Sequence, residues 1–347
     1  MQKKLRVGIL GATGAVGQKF VQLLENHPWF QVTALAASER SAGNKYREIV
    51  NWTSGTPIPT DVAELVVQPC TPELDCDFVF SGLDAKIAGE IELDFANAGY
   101  PVISNSKNHR MDEHVPLLIP EINPDHISAI KNQNFGKGFI VTNPNCSVIG
   151  LVMALKPLFD TWGLEAVNVV TMQALSGAGY PGVSSLDIID NVIPFIGGEE
   201  PKMDPETRKL LGQIDNDKFI PADFKISAQC NRVAVIDGHL ECVNIKLKEK
   251  ATIPEIIDAW TGFRAEPQHL NLPFAPKQPV HYFYEDKYPQ PRLHRGLENG
   301  MAASVGRLRE CPIFDYKFVV LSHNTVRGAA GCAILNAELL LEKGYFK

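Results

Sequence analysis

The chain lacks the features that mark disulfide scaffolds, zinc ribbons and membrane proteins. Its seven cysteines are odd in number and include no C-x-x-C pair, which favours a reducing compartment. No stretch approaches the ~18 consecutive apolar residues of a membrane span. The charged first residues lead at once into a short apolar segment, so no signal peptide is predicted. We therefore expect a cytoplasmic protein.

Positive charge is also scarce in this sequence. Lys and Arg number 33 against 40 Asp and Glu, a formal net charge of −7, and the largest basic excess is only Lys3, Lys4 and Arg6. A mildly acidic chain without a basic cluster is a poor ligand for nucleic acid or an anionic membrane, so neither partner is expected. The 347 residues, 45% of them hydrophobic, are enough for two globular domains.

Short apolar strands alternate with helices in the first 146 residues. Strands are predicted at 5–10, 31–37, 77–82, 101–104 and 139–142, and helices at 15–26 and 85–98. This alternation is typical of a parallel, doubly wound sheet. We therefore predict an α/β first domain of the Rossmann type over residues 1–146.

After Cys146 the pattern changes to long strands with few helices. A helix is predicted to start at Cys146, others near 183–195 and 253–263, and strands at 166–173, 225–235, 239–248, 301–311 and 313–322. Turns such as Asp237-Gly238 indicate a mixed or antiparallel sheet. The prediction is an α+β second domain at 147–322. An amphipathic C-terminal helix within 323–347 is expected to complete the first domain.

A glycine-rich turn, G-A-T-G-A-V-G, lies at residues 11–17 between the first strand and the first helix. Glycine permits a tight turn and lets backbone N–H groups approach a pyrophosphate at the helix N-terminus. The spacing G-x-x-G-x-x-G differs from the dehydrogenase fingerprint G-x-G-x-x-G and is common in NADP-binding variants. The cofactor-binding residues predicted here are Gly11, Thr13, Gly14, Ala15 and Val16.

The end of the second strand predicts which dinucleotide is bound. An acidic residue there would take the ribose hydroxyls of NAD. This chain has Ser38, Arg40 and Ser41 at that place, around Glu39. A guanidinium pairs with a phosphate through two hydrogen bonds, so these three residues are predicted to hold the 2′-phosphate of NADP.

Cys146 is the strongest candidate for a nucleophile. It follows a strand and the turn N-P-N and begins a helix, where helix N–H groups favour the thiolate. Arg232 and His239 lie seven residues apart in R-V-A-V-I-D-G-H, on two strands that a turn between them could bring to one cleft. A thiol, a base, an anion-binding arginine and a dinucleotide turn together predict hydride transfer to or from a thioester-linked acyl group.

The order of motifs resembles the aspartate-β-semialdehyde dehydrogenase family over nearly the whole chain. The motifs are G-A-T-G-A-V-G, S-N-S-K-N-H-R, N-P-N-C-S, Q-A-L-S-G-A-G and R-V-A-V-I-D-G-H. P-L-L-I-P-E-I-N and G-G-E-E-P-K-M resemble its archaeal and fungal branch. The resemblance implies a second domain similar to that of glyceraldehyde-3-phosphate dehydrogenase, used for catalysis and dimerisation. It also implies a homodimer or homotetramer.

The resemblance also implies a reaction and its catalytic residues. The reaction is the NADPH-dependent reductive dephosphorylation of L-aspartyl 4-phosphate to L-aspartate 4-semialdehyde, in the biosynthesis of lysine, threonine, methionine and isoleucine. Cys146 would be the nucleophile, His239 the acid/base, and Gln173 the residue that positions the acyl intermediate. No metal is implied, because arginines and a lysine can neutralise the substrate.

The remaining site residues implied by the resemblance bind the substrate and the cofactor. Arg110, which closes S-N-S-K-N-H-R, would bind the phosphate, and Arg232 the α-carboxylate. Glu199 and Lys202 would meet the amino group and the phosphate, with either Glu199 or Glu200 taking the amino group. Asn145 completes the substrate set. The cofactor would be lined by Ser176, Gly177, Gly179 and Asn324.

Alternative functions share parts of this pattern. An archaeal-type malonyl-CoA reductase would keep the cysteine, the histidine and NADPH, but would need room for CoA. A non-catalytic NADP-binding sensor would show decay of the catalytic set, which is intact here. N-acetyl-γ-glutamyl-phosphate reductase has a different cysteine motif, and glyceraldehyde-3-phosphate dehydrogenase prefers G-x-G-x-x-G. A short-chain dehydrogenase would need a lysine four residues after a tyrosine, and none of the eight tyrosines has one.

Overall fold

The computed structural model describes residues 3–216 and 218–346. The chain forms two compact units. The first comprises Met1–Leu118, Asp125–Asn143 and Ala329–Lys347, and the second comprises Ile119–Pro124 and Pro144–Gly328. The boundary predicted after residue 146 thus differs by three residues from the one observed after Asn143, and Cys146 lies in the second unit.

The first unit is built on a six-stranded parallel sheet. Its strands are β1 (Leu5–Leu10), β2 (Phe30–Ala37), β3 (Gln68–Pro69), β4 (Phe78–Ser81), β5 (Pro101–Ser104) and β6 (Phe139–Thr142). Their order is β3-β2-β1-β4-β5-β6, and every pairing is parallel. The predicted Rossmann-type sheet is therefore present.

The described segments between these strands contain two regular helices, two single helical turns and a 3₁₀ helix at Pro124–Asn132. The first four are α1 (Ala15–Leu23), α2 (Tyr46–Ile49), α3 (Thr60–Ala63) and α4 (Ala85–Asn97). The core includes an aromatic group in which Phe20 of α1 stacks on Phe80 at 4.5 Å between ring centroids, and Phe78 packs edge-on against Phe30 and Phe80. Such buried rings contribute both apolar area and specific packing.

The second unit is built on a six-stranded mixed sheet. Its strands are β7 (Leu164–Gln173), β10 (Lys225–Arg232), β11 (His239–Leu247), β12 (Val280–Phe283), β13 (Ala303–Glu310) and β14 (Tyr316–Ser322). A separate antiparallel hairpin is formed by β8 (Gln213–Asp215) and β9 (Lys218–Ile220). The sheet order is β10-β7-β11-β14-β13-β12, with parallel pairs only at its two edges. A mixed sheet was predicted, whereas β12 was not.

The helices of the second unit are α5 to α10. They are α5 (Cys146–Trp162), α6 (Ser185–Ile188), α7 (Glu200–Leu210), α8 (Ile253–Gly262), α9 (Glu266–His269) and α10 (Pro291–His294). Helix α5 is almost wholly buried and packs on β7, β11, β13 and β14. The indole of Trp260 in α8 donates to the carbonyl oxygen of Ala154 in α5 at 2.8 Å.

The prediction of a helix near 183–195 is wrong. Only Ser185–Ile188 is helical there, and most of the apolar side chains are exposed, Leu186 by 89% and Phe195 by 69%, whereas Ile188 is buried. The regular helix lies later, at Glu200–Leu210. Its sequence is mostly charged, so the sequence shows no broad apolar stripe.

The C-terminal helix, α11 (Gly331–Glu342), belongs to the first unit and packs on β5. It was predicted to be amphipathic, but Gly331–Leu340 is buried without a break. The five residues before it, Val326–Ala330, form an irregular π-type turn rather than the start of the regular helix. No helix among residues 3–216 and 218–346 is long and apolar enough to span a membrane.

Candidate active site

Cys146 is the first residue of α5, and the helix is capped beside it. The Asn145 side chain accepts hydrogen bonds from the N–H groups of Ser147 and Val148 at 2.9 and 3.2 Å. This N-cap satisfies two of the four N–H groups that a helix leaves open at its start. The half-buried thiol therefore lies at the positive end of a 17-residue helix, where a thiolate is favoured.

His239 begins β11 and faces this thiol. Its Nε2 lies 3.2 Å from Cys146 Sγ, while its Nδ1 accepts the backbone N–H of Ala174 at 3.0 Å. An acceptor nitrogen carries no proton, so in the neutral ring the proton is on Nε2. Burial, followed by the charge of Arg232, lowers the pKa of His239 to about 3. The ring is therefore neutral at physiological pH and presents an N–H group to the sulfur.

Glu199 is the centre of a second set of hydrogen bonds. Its carboxylate accepts from Asn145 Nδ2 at 2.7 Å, from Gln173 Nε2 at 3.2 Å and from Lys202 Nζ at 2.8 Å. Burial alone would raise the pKa of Glu199, but Lys202 and the two amides outweigh it and hold the pKa below its ordinary value. The carboxylate is therefore charged. Glu200 is turned elsewhere, accepting the backbone N–H of Cys230.

Arg232 ends β10 in the same group of residues. Its Nη1 donates to the carbonyl oxygen of Ala174 at 2.7 Å, and the side chain is buried. Burial lowers the pKa of its guanidinium, against the opposing effects of Cys146 and Glu199, but an arginine stays protonated in proteins. The site therefore holds a fixed cation beside the thiol and the imidazole.

The turn after β7 passes close to these side chains because it contains glycine. A Cβ added to Gly177 would lie 2.9 Å from Arg232 Nη1 and 3.1 Å from the His239 ring. Asn324 bridges this turn to the next, since its Nδ2 donates to Ser176 Oγ and its Oδ1 accepts the Gly238 N–H, both at 2.8 Å. Gly179 ends the turn with a φ of +73°. The predicted residues 176, 177 and 324 thus lie together.

The first unit contains the predicted dinucleotide turn between β1 and α1. Gly11 has a φ of +75°, and a Cβ added to Gly17 would lie 2.2 Å from the Gly11 carbonyl oxygen. The N–H groups of Gly11 and Ala12 donate to Ala36 at the end of β2, which fixes the turn against the sheet. No side chain caps α1 at Gly14. Its open N–H groups fit a pyrophosphate, with Thr13, Ala15 and Val16 in the same turn.

The predicted 2′-phosphate residues follow β2 directly. Ser38 and Arg40 are exposed, Glu39 is exposed beside them, and Ser41 is half-buried. The Ser41 N–H donates to the Ser38 carbonyl oxygen at 2.8 Å. This tight turn leaves a guanidinium and two hydroxyls accessible to an anion. Among the described residues, no group of His, Cys, Asp or Glu side chains is arranged to hold a metal ion.

Arg110 also belongs to the first unit. It is buried, and its Nη2 donates to the Asn105 carbonyl oxygen at 2.9 Å. Its segment, S-N-S-K-N-H-R, follows β5, and carboxyl ends of parallel strands are the usual place for ligands in open α/β sheets.

Comparisons with known proteins show which family this chain is similar to. Residues 6–130 match the family described as semialdehyde dehydrogenase, NAD binding domain, and residues 155–327 match semialdehyde dehydrogenase, dimerisation domain. The aspartate-semialdehyde dehydrogenase of Schizosaccharomyces pombe is 49% identical over 98% of both chains, and that of Archaeoglobus fulgidus is 50% identical over 97% of this chain and 98% of its own.

This chain belongs to the aspartate-semialdehyde dehydrogenase family. The predicted resemblance is thereby confirmed. Among solved structures, the aspartate-semialdehyde dehydrogenase of Candida albicans with NADP superposes with a TM-score of 0.91 at 43% identity, covering 99% of this chain and all of its own. The predicted fold, a Rossmann-type sheet followed by a mixed-sheet catalytic and dimerisation domain, is confirmed as well.

Gly328 is a site residue that sequence reasoning missed in this family member. A Cβ added there would lie 2.9 Å from the Cβ of Cys146, so only glycine lets the backbone pass so close to the nucleophile. The neighbouring Arg327 is fully buried and makes two hydrogen bonds to Glu121, at 2.9 and 2.6 Å. Removing one partner of such a buried pair costs about 3–5 kcal/mol. The pair therefore fixes the segment that covers Cys146.

Glu241 was missed too, although it lies two residues after His239 on β11. Its side chain is fully buried, and neither carboxyl oxygen has a hydrogen-bond partner within the described part of the chain. Burial, followed by repulsion from Glu199, raises the pKa of Glu241 well above its ordinary value. Such surroundings favour the neutral form of the carboxyl group. The sequence does not predict a buried carboxyl group here, because glutamate at alternate positions of a strand usually faces water.

Proposed function

We propose that this chain catalyses the NADPH-dependent reductive dephosphorylation of L-aspartyl 4-phosphate to L-aspartate 4-semialdehyde. The observation that carries the proposal is the placement of Cys146 Sγ 3.2 Å from His239 Nε2 at the start of α5. Membership of the family supports it, since the relatives bear the name of this product. The amino acids made from that product include lysine, threonine, methionine and isoleucine.

The charged residues of the second unit fit the amino-acid end of this substrate. Arg232 is the proposed partner of the α-carboxylate, because a guanidinium and a carboxylate form paired hydrogen bonds. Glu199 is the proposed partner of the ammonium group. It is preferred to Glu200 because Asn145, Gln173 and Lys202 gather around it. Lys202 and Arg110 are proposed for the phosphate.

Cys146 carries the acyl group in this proposal. Its thiolate forms a C–S bond to the acyl carbon as the C–O bond to phosphate breaks, and phosphate leaves with the electron pair and takes up a proton. Bound NADPH supplies the hydride that reduces the thioester carbonyl. The oxyanion so formed collapses, the C–S bond breaks, and Cys146 regains its thiolate as the aldehyde departs. Covalent catalysis of this kind divides one difficult step into two easier ones.

His239 is proposed as a hydrogen-bond donor throughout this cycle. Cys146 neither gains nor loses a proton when its thiolate attacks the acyl carbon or when the C–S bond breaks. His239 Nδ1 already accepts the Ala174 N–H. The Nε2–H group can therefore stabilise first the thiolate and then the oxyanion without leaving the ring. This role replaces the acid/base role expected from the resemblance.

The first unit is the proposed NADP-binding domain and the second the catalytic and dimerisation domain. The open N-terminus of α1 and the Ser38–Ser41 turn fit the pyrophosphate and the 2′-phosphate. Ser176, Gly177, Gly179 and Asn324 remain the proposed nicotinamide contacts. The fungal structure with NADP at 43% identity supports this choice of cofactor.

We also propose a homo-oligomer, a dimer or a tetramer, in the cytoplasm. The dimerisation-domain match supports it, as do exposed apolar side chains such as Leu186, Ile189 and Phe195, which a second subunit could cover. None of the seven cysteines, all within the described residues, forms a disulfide, which fits a reducing compartment. Light scattering of the purified chain would measure the state, and a monomer would contradict the proposal.

Two assays test the proposed reaction. Sustained reduction of NADP⁺ by L-aspartate 4-semialdehyde should require phosphate, with at most about one NADPH formed per active site in its absence, and NADPH should be oxidised by L-aspartyl 4-phosphate. Malonyl-CoA is the competing oxidant, and a faster reaction with it would replace the proposal by malonyl-CoA reductase. No turnover with either substrate, despite NADPH binding, would support a non-catalytic sensor instead.

A further inference from the structure

Glu92 is a fully buried carboxylate in the first unit that no assigned role explains. It lies on α4, and its Oε1 accepts hydrogen bonds from the hydroxyls of Ser81 and Ser104 at 2.6 and 2.7 Å. These serines end the neighbouring strands β4 and β5 and are paired in the sheet. Glu92 therefore holds together the strand ends from which the segment 104–110 begins.

The segment 104–110 is tied down along its length against α4. Ser104 Oγ accepts the N–H of Ser106 at 3.0 Å, and Asn108 Nδ2 donates to the Ala85 carbonyl oxygen at 3.0 Å. A Cβ added to Gly89 of α4 would lie 2.9 Å from Asn108 Nδ2. The segment therefore packs directly on the helix that carries Glu92.

His109 connects Glu92 to the far end of this segment. Its Nδ1 lies 2.7 Å from Asp112 Oδ2, and its Nε2 lies 3.2 Å from the Gly89 carbonyl oxygen and 3.9 Å from Glu92 Oε2. Both ring nitrogens thus face oxygen atoms. Burial raises the pKa of Glu92, while the two serine hydroxyls and the charges of His109 and Arg110 oppose that rise.

We propose that Glu92 is a positioning residue that holds Arg110 ready for phosphate. Its carboxyl group fixes Ser104 through one oxygen and faces His109 with the other, so the two ends of the segment are set by one buried side chain. Arg110 follows His109 directly and is itself buried. This inference rests on the proposed function, in which Arg110 binds the phosphate. Preorganised placement of a binding group lowers the cost of ordering it on binding.

Glu92→Gln tests the role of the carboxyl group with little change of shape. Glutamine keeps one carbonyl oxygen that can accept from both serines, but it replaces the oxygen that faces His109 by an NH₂ group. In semialdehyde oxidation we expect KM for phosphate to rise about tenfold or more. KM for the semialdehyde and kcat should stay within about threefold. The matched control is Glu90→Gln on the same helix, where the side chain is exposed; all its constants should equal those of the parent enzyme.

His109→Gln gives a second test that leaves Glu92 in place. It should raise KM for phosphate by a similar factor, and the double variant should be no worse than either single one, because both act through one contact. If Glu92→Gln fails to fold, His109→Gln carries the test alone.

Three results separate the possible failures. A KM for phosphate in Glu92→Gln equal to that in Glu90→Gln would overturn the role of Glu92. The role of Glu92 would also be overturned if both KM values and kcat worsened by the same factor and the melting temperature fell, because a purely structural residue has that effect. A parent enzyme whose rate does not depend on phosphate would overturn the proposed function, and the role of Glu92 with it.

Discussion

The two units place their functional residues in different ways. In the first unit they lie in three short segments, the turn at 11–17, the turn at 38–41 and the segment at 104–110. Backbone conformation organises the two turns, and side-chain hydrogen bonds hold the third segment. In the second unit they come from α5, β7, α7, β10 and β11 and are joined by hydrogen bonds between side chains. The first arrangement suits binding of phosphate groups by backbone and arginine, and the second suits chemistry at one sulfur atom.

This difference predicts two kinds of variant. Changes to Cys146 and His239 in the second unit should lower kcat with little effect on dinucleotide binding, whereas changes to the turn at 11–17 in the first unit should weaken binding with a smaller effect on chemistry.

The largest effect is expected for Cys146→Ala in the second unit. Without the sulfur no thioester forms, so turnover should fall by more than ~10³-fold. NADPH binding, measured by fluorescence titration, should be unchanged. Turnover within tenfold of the parent enzyme would contradict the covalent route.

Gly17→Ala should have the largest effect in the first unit. The new Cβ would lie 2.2 Å from the Gly11 carbonyl oxygen, so the turn must open, and we expect KM for NADP⁺ to rise about tenfold or more. Gly55→Ala in the same unit is the matched control, since nothing lies within 4 Å of a Cβ added there. Equal cofactor KM values in the two variants would show that the turn does not need a close approach at residue 17.

His239→Gln and His239→Ala distinguish a donor from an acid/base. Glutamine can still donate to the sulfur but cannot exchange a proton at neutral pH, so it should keep activity within about tenfold, whereas alanine should lose ~10²-fold or more. The parent enzyme should show no change in kcat/KM from His239 between pH 5 and 8, because its pKa is lowered to about 3. Equal losses in both variants would restore the acid/base role.

Glu241→Gln should have the smallest effect, on stability rather than on catalysis. The pKa of Glu241 is raised in the folded state, so above the ordinary carboxyl pKa the unfolded chain releases a proton that the folded chain keeps. The free energy of unfolding contributed by this group therefore falls as pH rises. Glutamine removes the proton exchange, so urea unfolding at pH 6 and pH 9 should differ less in the variant. If the free energies of unfolding at pH 6 and pH 9 differ as much in the variant as in the parent enzyme, Glu241 is ionised in the folded protein.

The sequence predicted the first unit better than the second for physical reasons. Parallel strands buried on both faces read as apolar runs, and β1, β5 and β6 have the predicted bounds. The helix at 200–210 was missed because it is mostly charged, with Met203 and Leu210 among its few buried apolar residues. The apolar side chains at 186–195 suggested a helix, but Leu186, Ile189, Val192 and Phe195 are exposed and only Ile188 of this group is buried in the core.

Some residues of the candidate site can be recognised from local sequence, whereas others matter only through contacts made after folding. The glycine turn and N-P-N-C can be recognised as motifs because the residues of each lie in one short segment. Gly328 and Glu241 are not readable, since their importance comes from proximity to Cys146 and Glu199 after folding. The proton position on His239 depends likewise on the Ala174 N–H, which no sequence pattern reveals.

The most direct test of the account is to trap the acyl group on Cys146. The enzyme is incubated with L-aspartate 4-semialdehyde and NADP⁺ in the absence of phosphate, so that the thioester has no acceptor except water, and is then digested and analysed by mass spectrometry. The account predicts an aspartyl group on the peptide that contains Cys146, lost on addition of phosphate. An active enzyme with no adduct, or with the adduct on another residue, would contradict it.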